Sequence, residues 1–354
     1  MSRTPALSRR AALAMGGTAA LAAAAPAHAA KPTTLRVLAM NIWFGGTAVP
    51  GGRALVAEAI RRTKADVVLL SESGDATADL AATLSAGGQR WHHASSSDTG
   101  VLSRFPIVDS AVMPFVTKAV IDLGGRQVAA YAAHLEYRWY ATYLPRGYGA
   151  GVPSGPYSGW DLLPGGPVTD AGTVLDVNAA SGRPQVIADV IADARAEQVR
   201  RRAVLIGGDF NEPSLLDWTR AAATTQDHQG LVVPWQSTAL LREAGYVDAY
   251  RAMYPNPVTH PGTTWPISNE AVGTDQLTWA PEADERDRID YVFASPTAGL
   301  RLLDAGRVGT GRTIVRNQRV AERTDDYRAL FSDWPTDHQA VLATYRVAGA
   351  PARG

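Results

Sequence analysis

The chain has 354 residues and no cysteine. That absence excludes a disulfide-stapled fold and any thiolate metal centre, so a metal site here must draw on Asp, Glu, Asn or His. Lysine is almost missing as well, occurring only at Lys31, Lys64 and Lys118, and 34 basic residues balance 34 acidic ones. Proteins that grip polyanions without sequence preference do so through clustered Lys and Arg, and a balanced charge with so few lysines leans away from that class. Long hydrophobic runs are lacking too. The one uncharged apolar stretch, Ala11 to Ala25, falls short of the ~20 residues needed to cross a bilayer, so no spanning segment is expected.

That stretch has another reading. Ser8-Arg9-Arg10 precedes it, and Ala27-His28-Ala29 follows as a small-x-small cleavage site. The arrangement resembles a twin-arginine export signal. Residues 1–29 are therefore expected to be a leader and 30–354 a secreted, soluble, monomeric protein. Loss of Arg3, Arg9 and Arg10 brings the formal charge to −3. No linker-like change of composition divides the remainder, which reads as one domain interrupted by inserts at about 137–181 and 255–287.

Along the chain, Leu35 to Met40 reads as a strand ending at Asn41, Ala54 to Ile60 as a helix, and Asp66 to Leu70 as a buried strand ending in Ser71-Glu72. Asp79 to Leu84 follows as a helix. Gly100 to Ile107 is a short strand broken by Pro106, and Gln127 to His134 is another. Periodicity then fails between Glu136 and Ser181. That span holds Tyr137, Trp139, Tyr140, Tyr143, Tyr148, Tyr157 and Trp160, with Arg138 and Arg146, among glycines and prolines. Such a length without regular structure suggests a binding loop or lid, or aromatics that seal the loop on the core. Pro184 to Glu197 is an amphipathic helix. Ala203 to Ile206 is a buried strand, after which Gly207-Gly208 lets the backbone turn and present Asp209 and Asn211 together. A helix at Thr238 to Glu243, a second irregular span, and strands at Arg288 to Phe293, Arg301 to Val308 and His338 to Val347 complete the pattern.

The polar residues gather at strand ends: Asn41, Glu72, His134, Asp209, Asn211, Asp290 and the pair Asp337-His338. Carboxylates, amides and imidazoles without thiols suit a hard, oxygen-ligated cation, Mg²⁺ or Mn²⁺, better than zinc. Glu72 with Asn41 is expected to anchor the metal and Asp337 to complete or relay that shell. A histidine beside such a site needs a carboxylate to fix its tautomer, and Asp290 is the candidate.

The motifs Met40-Asn41-Ile42-Trp43, Asp66 to Glu72, Ser103-Arg104-Phe105-Pro106, Ala133-His134-Leu135, Gly207-Gly208-Asp209-Phe210-Asn211, Arg288-Ile289-Asp290-Tyr291 and Thr336-Asp337-His338 occur in an order that resembles the endonuclease/exonuclease/phosphatase superfamily. The resemblance runs from Leu35 to Tyr345. It implies an α/β four-layer sandwich, two mixed β-sheets packed face to face and flanked by helices, with a metal-dependent phosphoesterase site at one rim. It makes Glu72 a Mg²⁺ ligand assisted by Asn41 and Asp337. It gives Asp209 and Asn211 the attacking water and the phosphate, and His134 and His338 the phosphate oxygens, with His338 paired to Asp290. Whether Asp209 or His338 is the base stays open. The family's usual Ser-Asp-His is here Thr336-Asp337-His338, and the two inserts match no subgroup.

The expectation is thus an exported, Mg²⁺-dependent phosphodiesterase acting on a lipid headgroup or small-molecule diester, with Arg138, Tyr140 and Arg146 touching substrate. Two alternatives are an extracellular nuclease, in which Arg138, Arg146 and Arg183 form a phosphate-binding groove, and a non-catalytic binding protein on the same fold. The nuclease predicts nucleic acid as partner; the lipid reading predicts a lipid surface.

Overall fold

The computed structural model describes residues 33–296 and 299–348. The leader expected at residues 1–29 lies outside them. The strands are β1 (Thr33–Asn41), β2 (Val67–Ser71), β3 (His92–Ser95), β4 (Gly100–Ser103) and β5 (Ile107–Met113), then β6 (Val116–Asp122), β7 (Gln127–His134), β8 (Ala203–Asp209), β9 (Val247–Asp248) and β10 (Asp290–Ala294). The last five are β11 (Leu300–Val308), β12 (Arg312–Val315), β13 (Gln318–Ala321), β14 (Tyr327–Arg328) and β15 (Ala340–Val347). Seven form one sheet in the order β14-β11-β15-β1-β2-β4-β3, and six form a second in the order β5-β6-β7-β8-β10-β9. Both are mixed: β1 runs parallel to β2 and antiparallel to β15, and β8 runs parallel to β7 and antiparallel to β10.

Period-2 alternation divides each strand between two apolar layers. Leu35, Val37 and Ala39 of β1 with Val67 and Leu69 of β2 face Ala130 and Ala132 of β7, Leu205 of β8 and Val292 of β10 between the sheets. The opposite faces are covered by helices. Leu38, Met40, Val68 and Leu70 meet Val56, Ile60, Leu80 and Leu84 from helices Gly52–Thr63 and Ala76–Ser85. Val204, Ile206, Tyr291 and Phe293 meet Ile187, Val190, Ala194 and Leu241 from helices Arg183–Val199 and Gln236–Glu243. The result is the four-layer α/β sandwich.

Three local features depart from the sequence reading. The Gly207-Gly208 pair does not turn: both residues lie inside β8, where space is the constraint. A Cβ on Gly207 would sit 2.4 Å from the Tyr291 carbonyl oxygen, and one on Gly208, at φ +125°, would sit 2.0 Å from that of Ala133. The hairpin of β5 and β6 was hidden because β5 is an edge strand with Val108 and Val112 exposed, so its apolar residues mark no buried face. The stretch expected to lack structure contains a helix, Ala171–Ala180, whose N-cap Asp170 accepts from the Thr173 amide at 2.7 Å. It buries only Val174 and Asn178, too few positions to produce a readable stripe.

The two irregular spans pack on each other. Tyr140, Tyr143 and Tyr148 of the first share a cluster with Trp265, Ala280 and Ala283 of the second and with Ile289 just beyond it. A neighbouring cluster of Leu144, Val174, Trp218, Val233 and Trp235 holds His228, whose ring stacks on Trp218 at 3.7 Å and whose Nδ1 is 2.9 Å from the Ala222 carbonyl. Burial, with Arg146 nearby, pushes the His228 pKa from 6.5 down to about 3. The unfolded chain takes up this proton below pH 6.5 and the folded one does not, so the stability it confers is complete above pH 6.5 and is lost as pH falls toward 3. Between pH 6 and 4 the wild type is expected to lose roughly 1 kcal/mol per pH unit more than His228→Phe, read from urea midpoints across that range. Parallel acid profiles for the two proteins would refute it.

Candidate active site

Strand direction and register bring the polar ends to one rim. In the six-stranded sheet Asp209 at the end of β8 lies beside His134 of β7 and Asp290 of β10. In the other sheet Asn41 ends β1 beside Ser71 of β2, Glu72 follows, and Asp337-His338 enters β15, whose Val341 pairs with Ala39. The two rims touch. Asn41 Nδ2 stands 3.0 Å from Asp209 Oδ2, 3.1 Å from Glu72 Oε1 and 3.5 Å from His338 Nε2. Asp209 Oδ2 in turn lies 3.8 Å from both His134 Nε2 and His338 Nε2.

Each group is held from behind. Asp290 Oδ2 contacts His338 Nδ1 at 2.9 Å, which fixes the ring with Nε2 toward Asp209. His134 Nδ1 is held at 2.7 Å by Asp98, a residue the sequence did not single out. Asp98 sits in the loop between β3 and β4, and its one advance signal was the turn chemistry of Ser96-Ser97-Asp98-Thr99. Asp209 Oδ1 accepts the Asn211 amide at 2.8 Å, and Asn211, at φ +47°, donates its side chain to the Leu135 carbonyl at 3.0 Å. Glu72 is also left-handed, φ +52°, and its Oε2 accepts the Phe44 amide at 2.7 Å. Non-glycine residues in this conformation are strained, and here two of them carry site side chains.

Electrostatics follow from this packing. Burial opposes a charge on His338, but Asp290 and Asp337 outweigh it and raise its pKa to about 10. Burial likewise opposes His134, which Asp98, Asp209 and Glu72 raise to about 9. Both imidazoles are thus cationic at neutral pH. Burial, with a smaller push from the Glu72 charge, lifts Asp337 to about 6 against the pull of His338.

The donor set fits a hard divalent cation. Glu72 and Asp337 both line the cleft, and a cation there would offset both the burial of the Asp337 charge and the smaller push it receives from Glu72. Asn41, expected to assist the metal, accepts the Trp43 amide on its Oδ1 at 2.9 Å and turns its NH₂ group toward Glu72 and Asp209. Asp209, Asp290 and His338 form a second group whose ligand atoms fall within 4.8 Å. Asp290 lies behind His338 and is not part of the cleft lining, so Glu72 with Asp337 is the better-placed pair.

The cleft encloses about 970 Å³ between Trp43, Phe44 and Asp75 on one side and Tyr137, Tyr140, Tyr143, Trp160 and Trp279 on the other. Tyr140 is part of this lining. Arg138 and Arg146 are not. Arg146 is buried, its Nη1 2.7 Å from Asp287 Oδ2 and its guanidinium over Trp218, so it braces the two inserts. Arg138 is exposed but bidentate to Glu136 at 2.9 Å and stacked over Tyr137 and Trp139. Arg183 is buried against carbonyls of residues 136, 138 and 139. The expected arginine groove does not form, because carboxylates and carbonyls on neighbouring segments occupy all three guanidiniums.

A Caenorhabditis elegans protein described as uncharacterized is 28% identical over 324 residues, covering 88% of this chain and 91% of its own. Among solved structures, an endonuclease/exonuclease/phosphatase of Beutenbergia cavernae matches with a TM-score of 0.48 at 18% identity, covering 90% of this chain and 73% of that one. Truncated Caenorhabditis elegans TDP2 matches with a TM-score of 0.48 at 16% identity, covering 89% and 98%. The human Nocturnin catalytic domain matches with a TM-score of 0.49 at 14% identity, covering 89% and 95%. The model of the endonuclease/exonuclease/phosphatase family matches residues 38–338, most of the chain, and on that extent the protein belongs to this family.

Proposed function

We propose that this protein is a Mg²⁺- or Mn²⁺-dependent phosphodiesterase, exported through the leader at residues 1–29, that hydrolyses a lipid-headgroup or small-molecule diester by in-line attack of water. The observation that carries the reading is the convergence of Asn41, Asp209, His134 and His338 on one point at the floor of the cleft, beside the carboxylates of Glu72 and Asp337. A bound divalent cation would supply Lewis-acid neutralisation of a phosphate oxygen, with Glu72 and Asp337 as its protein ligands. The remaining work falls to the chain itself. His134 and His338 present Nε2–H groups to the non-bridging oxygens, where charge grows in the transition state. Asn41 donates to Asp209 and Glu72 from behind them. Asp209 Oδ2, at the centre of these donors, orients the water and accepts its proton; Asn211 holds Asp209 in place through its amide. Asp290 and Asp98 keep the two imidazoles aligned.

Burial of Arg146 and Arg183 weakens the nuclease alternative, since phosphate tracking needs accessible cations. The test is direct. Purified protein lacking residues 1–29 is expected to hydrolyse bis(4-nitrophenyl) phosphate with Mg²⁺ or Mn²⁺, to lose the activity to chelator and to regain it on metal return. The full chain expressed in an exporting host is expected to deliver that activity outside the cytoplasm. Metal-independent turnover, or rapid cutting of plasmid DNA at low salt with no turnover of the small diester, would defeat the proposal.

A further inference from the structure

A run of aromatic rings in mutual contact leads from the mouth of the cleft to its floor. Trp279, 47% exposed, meets Trp160 at 4.7 Å between centroids, Trp160 meets Tyr143 at 5.9 Å, and Tyr143 meets Tyr140 at 4.9 Å. Tyr140 meets Trp265 at 6.1 Å, and Trp265 meets His338 at 6.5 Å. The hydroxyls that would make this wall polar are turned into the protein: Tyr140 donates to Asp287 at 3.0 Å and Tyr143 to Glu285 at 2.7 Å. These two tyrosines therefore offer the wall ring carbon and not hydroxyl. Because Glu285 also accepts the Trp279 and Ala280 amides, each at 3.1 Å, the wall is braced before any ligand arrives.

The charges around the wall limit what it accepts. Among the described residues Arg53 is the one Lys or Arg side chain lining the cleft, and it is engaged, with Nε on the Gly45 carbonyl at 2.9 Å and Nη1 on Asp79 at 2.7 Å. Asp75 and Asp275, both exposed, add negative charge to the lining. The imidazoles of His134 and His338 stand at the floor with Glu72 and Asp337, so one phosphate is placed there, and a second phosphate further out would meet carboxylates instead of a counter-charge.

We propose, resting on the phosphodiesterase reading, that this wall is the subsite for an apolar, ring-sized organic group esterified to a single phosphate, so that the substrate class is a monoanionic diester and not a polyphosphate or a nucleic acid strand. Ring faces reward such a group through dispersion and stacking, and this attraction is nearly independent of salt.

The experiment compares two diesters with the same leaving group: phenyl 4-nitrophenyl phosphate, which offers a second ring, and methyl 4-nitrophenyl phosphate, which does not. The wild type is expected to favour the phenyl ester in kcat/KM by at least tenfold, almost unchanged between 50 and 300 mM salt. Trp279→Ala, truncated at an exposed position, is expected to cut that ratio severalfold, and Trp160→Ala to cut it further, with thermal melting confirming the fold of each. An unchanged ratio in both folded variants, or a single-stranded oligonucleotide cleaved with a higher kcat/KM than the phenyl ester, overturns the wall subsite while leaving the phosphodiesterase intact. Absence of metal-dependent hydrolysis of either diester overturns the parent reading and this proposal with it.

Discussion

Asp209→Asn is expected to lower kcat toward an activated phosphodiester by about 10²- to 10⁴-fold, the usual range for losing a positioned acid–base group. The substitution keeps shape and volume, and that makes it informative. Asp209 Oδ2 accepts from Asn41 at 3.0 Å and sits 3.8 Å from each imidazole Nε2, while Oδ1 accepts the Asn211 amide at 2.8 Å. An asparagine can keep the second contact with its carbonyl only by turning its NH₂ toward Asn41 and two imidazolium groups, donor against donor. The charge that helps hold both histidines protonated also disappears, so their pKa values are expected to fall from about 9 and about 10. Three measurements bear on it together: kcat with saturating Mg²⁺, thermal melting, and histidine titration by NMR. Activity within tenfold of wild type in a folded variant would remove Asp209 from the chemistry.

Arg183→Met is expected to cost about 3–5 kcal/mol of stability, the range for breaking a buried charge pair by removing one partner. Arg183 is 1% exposed at the start of the helix Arg183–Val199. Its Nη1 donates to the carbonyls of Glu136 at 2.6 Å and Arg138 at 2.9 Å, its Nη2 to that of Trp139 at 2.8 Å and to Asn178 Oδ1 at 2.7 Å, and its Nε faces Glu212 Oε2 at 3.6 Å. Glu212 also accepts from Ser237 N and Oγ, both at 2.7 Å, and from Asn178 at 3.0 Å. The methionine would fill much of the volume but strand a buried carboxylate and three carbonyls. Glu212→Gln added to Arg183→Met is therefore expected to recover part of the loss, a coupling that urea denaturation of the double-mutant cycle reads directly. Additive losses would show that Glu212 does not depend on the guanidinium. The same bonds tie the segment bearing Tyr137 to the one following Asp209, so the damage should reach activity through the geometry of the cleft.

Much of the sandwich was legible because its inner strands are apolar runs. β1, β2, β7 and β8 fall where such a run gives way to a polar residue, β10 and β15 where one starts at Asp290 or just after Asp337-His338, and those positions became the rim. Edge elements were not legible, nor was the inner strand β6, whose apolar run is interrupted by Thr117 and Lys118. β5 exposes its valines, and the helix Ala171–Ala180 contacts the core through two side chains, so neither leaves a periodic trace.

By itself the sequence determined the chemistry on offer: no thiols, few lysines, and carboxylates, amides and imidazoles at successive strand ends in a recognisable order. Those are properties of residue type and local periodicity, which a single chain displays directly. Tertiary structure decided which of these groups are free to act. Arg146 and Arg183 looked like phosphate ligands and are consumed by Asp287 and by backbone carbonyls, because a buried guanidinium must satisfy its donors wherever acceptors lie. Asn41 became a donor because the Trp43 amide claimed its oxygen. Asp98 became the partner of His134 through a contact between residues 36 apart. Such choices depend on long-range proximity and on competition for hydrogen bonds, and neither is written in the local pattern.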